Sequence, residues 1–310
     1  MKISVAICTY NRQKLLSKCI NSLLNQDFEK SNYEIIIIDN NSSDGTKDLV
    51  YEFIEKNKDF NIRYVFEPVQ GLSVSRNRAI AEAKSDILLF IDDDAIADKS
   101  LLKEHLRIYR EFENVGCVGG KILLEFIDGK PDWLDEKFYK FYGYLDVSDK
   151  ILEIRHSPYG GNISFNLEII KKENLRFDNL LGRKGNILRS GEEVILVENL
   201  IKRKYKVFYN PNAFIYHIIS ADRVKYRYLI RNIKNNFDTY FYVLNTIENR
   251  SKLYIFFLGL YNACIYLISL LKNIFFLKKS NIFYILLYLI GFLNLLKRTL
   301  HISKGDINET

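Results

Sequence analysis

The sequence is poor in cysteine and proline, with four of each among 310 residues. The cysteines lie far apart, without the spacing of a metal-binding motif or a disulfide framework. This argues against a small secreted disulfide-rich protein and fits a reducing compartment. No internal repeat or low-complexity linker is present. Because 48% of the residues are hydrophobic and 27% are charged, the chain can bury a core, which excludes a disordered or collagen-like protein.

Glycine-rich nucleotide motifs are also missing from the place where they are expected. The N-terminal part predicts strands at residues 2–9, 33–39, 62–66 and 86–91, with helices between them. This alternation indicates an α/β fold with a mostly parallel central sheet and helices on both faces. The first strand is followed neither by G-x-G-x-x-G nor by a P-loop. A nucleotide site in this chain must therefore use side chains rather than a glycine cradle.

Polar residues follow the predicted strands at their carboxyl ends, where parallel sheets bind their ligands. Asp39 ends the second strand, and Asp92, Asp93 and Asp94 follow the fourth. Such oxygen ligands suit Mg²⁺ or Mn²⁺, usually shared with substrate phosphates. An acidic turn or helix cap is the alternative, since aspartate is common in turns. The place of Asp39 on a neighbouring strand favours the metal site.

Six segments in order resemble the family 2 glycosyltransferases, inverting enzymes with a GT-A fold, and point to the bacterial and archaeal glycan-biosynthesis type. The segments are VAICTYNR, IIIIDNNSSDGT, GLSVSRNRAI, FIDDDA, GGNISF and GEEVIL. They are similar to the family's first motif, its base-contacting motif, its Gly…Arg-Asn segment, its D-x-D element, its acceptor-side G-x-N segment and its Glu-Asp signature. The resemblance covers residues 3–220. It implies transfer of a sugar from a nucleotide-diphosphate sugar to a glycan acceptor, which is lipid-linked if the tail is membrane-bound.

The resemblance also implies roles for individual residues. Donor nucleotide binding is expected of Thr9, Tyr10, Arg12, Asp39, Arg76, Asp92 and Asp93. A bound Mg²⁺ or Mn²⁺ is expected at Asp94, with help from Asp92 and from His217. The acceptor is expected near Gly161 and Asn162. Trp133, in an aromatic and acidic stretch before this segment, is also a candidate for the acceptor site, because sugar faces stack on aromatic rings. Two of these residues have alternatives, because His217 could be a hydrogen-bonded core histidine and Trp133 a core or surface aromatic residue.

The paired acids Glu192 and Glu193 are the predicted catalytic residues. The acceptor hydroxyl must lose a proton as it attacks, so one carboxylate is needed opposite the leaving diphosphate. The resemblance assigns this base to Glu193, although the family most often has aspartate at that position. A single displacement without a covalent intermediate inverts the anomeric centre. A solvated helix N-terminus is the alternative interpretation of the pair.

The C-terminal part combines a basic block with two apolar runs. Residues 202–252 contain eleven Lys and Arg against three acids, a net charge of +8. Residues 253–271 and 282–296 carry no charge. We expect this tail to bind the cytoplasmic face of the membrane, either spanning it or lying at its interface. A buried helical pair or an oligomer interface is the alternative. A nucleic-acid partner is disfavoured, since no groove-reading motif adjoins the block.

The expected domain organisation has three parts. Residues 1–95 form the half of a GT-A domain that binds the nucleotide sugar, residues 96–220 form its acceptor and catalytic half, and residues 221–310 form the helical tail. Two other functions remain open at this stage. A sugar nucleotidyltransferase would require a glycine-rich basic N-terminal loop, and a non-catalytic membrane-bound binding protein would not require both acidic clusters.

Overall fold

The computed structural model describes residues 2–184, 187–188, 190–273 and 279–301. Part of the predicted link between the two apolar runs, residues 274–278, lies outside the described residues. In chain order the strands are β1 (Ile3–Thr9), β2 (Tyr33–Asp39), β3 (Ile62–Phe66), β4 (Ile87–Asp92), β5 (Ala95–Ala97), β6 (Val115–Phe126), β7 (Leu152–Ile154), β8 (Asn162–Asn166), β9 (Arg183–Lys184), β10 (Ile187–Leu188) and β11 (Lys206–Ile219). The helices are α1 (Gln13–Leu24), α2 (Thr46–Lys56), α3 (Leu72–Glu82), α4 (Leu101–Glu111), α5 (Leu167–Lys172), α6 (Glu192–Lys202), α7 (Tyr226–Tyr242), α8 (Lys252–Asn273) and α9 (Lys279–His301).

The central sheet is mixed, with the order β3-β2-β1-β4-β8-β6-β11-β5. The pairs β1–β2, β2–β3 and β1–β4 are parallel, as the strand–helix alternation predicts. Beyond β4 the pairs β4–β8, β6–β8, β11–β5 and β11–β7 are antiparallel. The predicted α/β fold class is confirmed, and the parallel part of the sheet is its N-terminal half.

Two apolar cores lie on the two faces of this sheet. Along β2 the side chains alternate, so that Ile35 and Ile37 enter one core while Ile36 and Ile38 enter the other. Helices α1 and α4 cover the first face, and helices α3, α5 and α6 cover the second. A strand covered on both faces is apolar throughout, which explains the continuous run of isoleucines. In β2 the two acidic residues, Glu34 and Asp39, therefore lie near its ends.

The chain divides into two compact units. The first contains Met1–Glu125, Tyr142–Gly185 and Gly191–Ile218, and the second contains Phe126–Phe141, Asn186–Ser190 and Ile219–Thr310. The first unit contains the central sheet and every residue of the acidic clusters described below. The sequence-based boundary at residue 220 stays a prediction.

The second unit is built around α7 and α9. Gly291 of α9 lies against the Phe237 ring of α7, where an added Cβ would come within 2.3 Å of ring carbons. The Asp238 carboxylate accepts two hydrogen bonds from the Arg298 guanidinium at 2.9 Å. Among the described residues, Asn281–Thr299 is the segment long and apolar enough to cross a membrane by length and composition.

Candidate active site

The end of β1 and the loops after β1 and β4 bring four predicted site residues together, Thr9, Arg12, Asp93 and Asp94. The Thr9 hydroxyl donates to Asp93 Oδ2 at 2.8 Å. Arg12 Nη1 lies 2.8 Å from Asp93 Oδ1 and 2.5 Å from Asp94 Oδ2. Both carboxylates are buried, with Asp94 only 2% exposed. Burial raises the pKa of Asp93, and the nearby Arg12 charge acts in the opposite direction. The positive charge of Arg12 therefore partly neutralises the two buried carboxylates and holds them close together.

His217 of β11 lies next to this cluster because β11 pairs with β5, which places His217 opposite Ala95, the residue after Asp94. Its Nδ1 lies 2.6 Å from the carbonyl oxygen of Tyr142 and therefore donates a proton to it. Its Nε2 then faces Asp94 Oδ1 at 3.3 Å. In a neutral imidazole this Nε2 carries a lone pair, so two acceptors face each other. A cation or a proton between them would relieve that repulsion.

The chemistry of this pair fits a divalent cation. Mg²⁺ is commonly held by one or two carboxylates, with water and substrate phosphates completing its ligands, and carboxylate oxygens also suit Mn²⁺. Histidine binds metal ions through a neutral ring nitrogen, such as Nε2. Within the part of the chain that the structure describes, no group of three or more His, Cys, Asp or Glu side chains forms a metal site. Asp94 and His217 would therefore supply a two-ligand site that substrate oxygens complete. Asp92 is the more open acid, with a side chain 40% exposed.

Asp39 lies at the end of β2 with both carboxylate oxygens engaged. Its Oδ2 accepts a hydrogen bond from the Tyr64 hydroxyl at 2.7 Å, and its Oδ1 accepts one from the backbone N–H of Ser42 at 3.0 Å. Burial and the Asp39 carboxylate raise the pKa of Tyr64, so that the hydroxyl stays protonated and keeps donating. Tyr51 packs on Tyr64 with ring centroids 5.4 Å apart. Sequence reasoning missed Tyr64, which only the β2–β3 pairing brings beside Asp39.

Asn11 links the first two loops and was also missed. Its side-chain oxygen accepts the backbone N–H of Ser43 at 2.7 Å and of Asp44 at 3.3 Å. Its backbone adopts a left-handed conformation with φ 53°, which asparagine tolerates better than most residues. The neighbouring Tyr10 is 41% exposed. The asparagine within TYNR is therefore a signal for loop geometry.

The paired acids begin α6 yet are not solvated. Glu192 is 4% exposed and Glu193 is 8% exposed, which excludes a solvated helix N-terminus. Arg76 Nη1 donates to Glu192 Oε1 at 2.9 Å, and Arg76 Nη2 donates to the Gly160 carbonyl at 2.9 Å. The backbone N–H of Gly160 donates to Glu193 Oε1 at 3.3 Å. Arg76 and the backbone of Gly160 thus hold both acids.

The two glutamates differ in electrostatic environment. Burial and the negative charge of Glu192 together raise the pKa of Glu193 to about 7, although the positive charge of Arg76 acts in the opposite direction. Glu192 is paired directly with Arg76, but its second oxygen, Oε2, is buried without a hydrogen-bond partner among the described residues. Glu193 is therefore the acid suited to exchange a proton near neutral pH.

The acceptor-side segment connects the acid clusters. The Gly161 carbonyl accepts the Asp92 N–H at 3.3 Å, and an added Cβ at Gly161 would lie 2.7 Å from Asp92 Oδ2. The Asn162 side chain is fully buried and makes hydrogen bonds inside the protein, so it cannot touch an acceptor itself. Asn162 could affect acceptor binding only by positioning the backbone around it. Trp133 lies in the second unit, stacked on Tyr226 at 4.3 Å. The acceptor roles of these residues stay predictions.

Arg76, a predicted donor-binding residue, is buried with its guanidinium directed to Glu192 and Gly160. Its carbon Cζ lies 5.5 Å from the ring centroids of both Phe90 and Phe177. Asp92 Oδ1 is 3.8 Å from Arg76 Nη2. The structure therefore brings Arg76 together with the acids of β4 and α6.

The sequence profile described as glycosyl transferase family 2 matches residues 4–172. The glucosyl-dolichyl phosphate glucuronosyltransferase of Haloferax volcanii is 26% identical over 240 residues, which cover 74% of this chain and 73% of that protein. The poly(ribitol-phosphate) beta-glucosyltransferase of Bacillus spizizenii is 40% identical over 106 residues, only 16% of its own length. The mannosyltransferase PcManGT from Pyrobaculum calidifontis, solved with GDP-Man and Mn²⁺, is similar in fold, with a TM-score of 0.59 and 16% identity over 100% of this chain and 76% of that one.

Proposed function

This chain belongs to glycosyl transferase family 2, and on that premise we propose that it is an inverting glycosyltransferase. It would move a sugar from a nucleotide-diphosphate sugar to a glycan in surface polysaccharide or glycoconjugate synthesis. The relatives named for dolichyl phosphate and poly(ribitol-phosphate) support a lipid-linked or polymeric acceptor. The observation that carries the proposal is the linkage of two buried acid clusters through Gly160, Gly161 and Arg76.

The first cluster is the donor side of the proposed site. Asp94 and His217 would hold Mg²⁺ or Mn²⁺, which when bound stabilises the negative charge that gathers on the leaving diphosphate. Arg12 keeps the Asp93 and Asp94 carboxylates in place and adds a fixed positive charge beside them. Asp39, oriented by Tyr64, lies at the end of β2 where the nucleotide base is expected. In this proposal Arg12, Asp93 and Asp94 lie on the side of the leaving diphosphate, and Asp39 lies on the side of the base.

The second cluster supplies the base. Glu193 would accept the proton of the attacking acceptor hydroxyl, because burial raises its pKa to about 7. Glu192 forms an ion pair with Arg76, and its negative charge helps to raise the pKa of Glu193. The attack and the departure of the diphosphate would occur on opposite faces of the sugar, which inverts the anomeric centre.

The tail supports a further element of the proposal, association with the cytoplasmic face of a membrane. Helix α8 exposes a set of large apolar side chains, Leu253, Tyr254, Phe257, Tyr261, Ile265 and Ile268, each at least 45% exposed. The basic residues Arg250 and Lys252 precede this surface in the chain. Apolar burial in the lipid interface and attraction to anionic headgroups would act together. A membrane-bound enzyme would meet a lipid-linked acceptor directly.

A binding screen tests the donor assignment. The full-length chain would be heated with UDP-, GDP- and dTDP-sugars, each with Mg²⁺ or Mn²⁺ and with a chelator. A donor at 100 times its Kd stabilises the folded state by about 2.7 kcal/mol, which raises Tm measurably. We expect one nucleotide class to raise Tm in a metal-dependent manner, and to do so far less in Asp94→Asn. No stabilisation by any sugar nucleotide would contradict the proposal.

A further inference from the structure

The predicted acceptor-side asparagine is held by a buried histidine that the mechanism does not use. Asn162 Nδ2 donates to the backbone carbonyls of Ala213 at 2.9 Å and Lys121 at 3.1 Å. Because the amide nitrogen is thus fixed, Asn162 Oδ1 must be the acceptor in its contact with His105 Nε2 at 2.8 Å. His105 Nε2 therefore carries the proton.

The direction of the remaining hydrogen bonds follows from this tautomer. With Nε2 protonated, His105 Nδ1 accepts from the Ser164 hydroxyl at 2.9 Å. The Ser164 oxygen can then accept from the Tyr109 hydroxyl, which lies 3.1 Å away. His105 is fully buried, and burial lowers its pKa to about 4, so the imidazole stays neutral at ordinary pH. The result is one directed chain of hydrogen bonds between α4 and β8.

Glycines of β6 let this segment lie close against the sheet. An added Cβ at Gly120 would lie 1.8 Å from the Ala213 carbonyl and 2.2 Å from Asn162 Nδ2. An added Cβ at Gly119 would lie 2.1 Å from Pro158 Cβ. The backbone before β8 is therefore seated without room to shift toward β6.

Asn162 is two residues from the peptide unit that contacts the proposed base. The Gly160 N–H meets Glu193, and the Gly160 carbonyl meets Arg76. Between them, the Gly161 carbonyl accepts the Asp92 N–H. Any movement of Asn162 is therefore passed along a short stretch of chain to both acid clusters.

We propose that His105 is a positioning residue, which through Asn162 sets the place of the Gly160–Gly161 segment relative to Glu193 and Asp92. A core position filled only for packing would take an apolar side chain, because every buried polar group must be matched by a partner. Here each polar side chain has a partner, and the hydrogen bonds run in one direction from Tyr109 through Ser164 and His105 to Asn162. A displacement of about 1 Å in catalytic geometry can lower turnover by about 10²-fold. This inference rests on the proposed function, since it predicts a change in transfer.

The test compares three full-length variants with the wild type on the donor found by the binding screen. His105→Leu fills the buried position with an apolar side chain and removes the hydrogen bonds to Asn162 and Ser164. His105→Gln retains an N–H donor for Asn162. Leu106→Ala is the matched control, because Leu106 is fully buried on the same helix but belongs to the apolar core. For each we would measure kcat, donor KM, Tm and the ratio of acceptor transfer to donor hydrolysis by water.

The transfer-to-hydrolysis ratio separates positioning from stability, since it does not depend on the amount of folded enzyme. We expect His105→Leu to lower kcat for transfer about tenfold or more with donor KM little changed, and to lower the ratio. His105→Gln should recover part of both, and Leu106→Ala should lower Tm without changing the ratio. An unchanged ratio in His105→Leu, or an equal loss in Leu106→Ala, would overturn the inference.

If His105→Leu does not fold, Ser164→Ala breaks the same chain one bond further away by removing a single hydroxyl, and the same ratio is measured. A normal ratio there would overturn the inference. A wild-type protein inactive with every donor would instead count against the proposed function itself.

Discussion

Replacing Glu193 by glutamine removes a buried negative charge while changing the side-chain volume little. Glu193 lies beside Glu192 at the start of α6 and accepts a hydrogen bond from the Gly160 N–H. A glutamine can keep the place but cannot take up a proton at neutral pH. We expect kcat to fall by about 10²–10⁴-fold, the usual contribution of a general base, with donor binding nearly unchanged.

The same change should stabilise the protein at neutral and alkaline pH. Moving the Glu193 pKa from its ordinary value of 4.5 to about 7 means that ionising the folded-state carboxyl costs about 3 kcal/mol more than in the unfolded chain. A raised folded-state pKa contributes stability below 4.5, and this contribution is lost as the pH rises through about 7. The stability advantage of Glu193→Gln should therefore grow across this interval and stay constant above it.

The assay follows kcat and Tm from pH 5 to pH 9 for the wild type, Glu193→Gln and the control Glu192→Gln. Wild-type kcat should rise with pH through about 7, since the base must be deprotonated. Glu192→Gln removes the partner of buried Arg76 and should destabilise the fold by about 3–5 kcal/mol. It should also move the rise in kcat to lower pH, because the repulsion on Glu193 is gone. If Glu192→Gln were crippled and Glu193→Gln nearly normal, the two roles would be exchanged.

Asp94→Asn should abolish Mg²⁺- or Mn²⁺-dependent transfer and weaken Mn²⁺ binding seen by electron paramagnetic resonance, with an unchanged circular dichroism spectrum; activity that survives both this change and a chelator would exclude the metal site. Asn11→Ala should lower the free energy of unfolding by about 1 kcal/mol and raise donor KM, because alanine tolerates the left-handed backbone less well and cannot accept the loop hydrogen bonds. Unaltered values would contradict this role. Phe257→Glu should reduce co-sedimentation of the full-length chain with anionic vesicles, whereas Val147→Glu, an exposed control in the first unit, should not.

The parallel half of the fold was predictable because its signals are local. The run from Tyr33 to Asp39 forms β2 residue for residue, since a strand covered on both faces is apolar through its centre, here the four isoleucines at 35–38. The predicted strand at residues 62–66 likewise forms β3. The acidic residues after β4 were predictable for the same reason, because ligand-binding side chains follow the strands of a parallel sheet.

The antiparallel half of the sheet depends on pairings between segments that are far apart in the sequence, and local sequence patterns do not predict such pairings. Nothing local in β8 or β11 indicates that one carries Asn162 beside β4 and the other brings His217 to Asp94. The contact between Arg76 and Glu192 joins residues 116 positions apart. Without it, two acids at a helix start are read as a solvated terminus, and their burial cannot be foreseen.

The most direct test of the account is to identify the products when the full-length chain acts on its donor and a lipid-linked glycan acceptor. An inverting glycosyltransferase should release a nucleoside diphosphate and form a new glycosidic bond whose anomeric configuration, read by nuclear magnetic resonance, is inverted relative to the donor. Formation of both products should be about 10²–10⁴-fold slower in Glu193→Gln. Pyrophosphate exchange with a nucleoside triphosphate, or a product that retains the donor configuration, would contradict the proposed function.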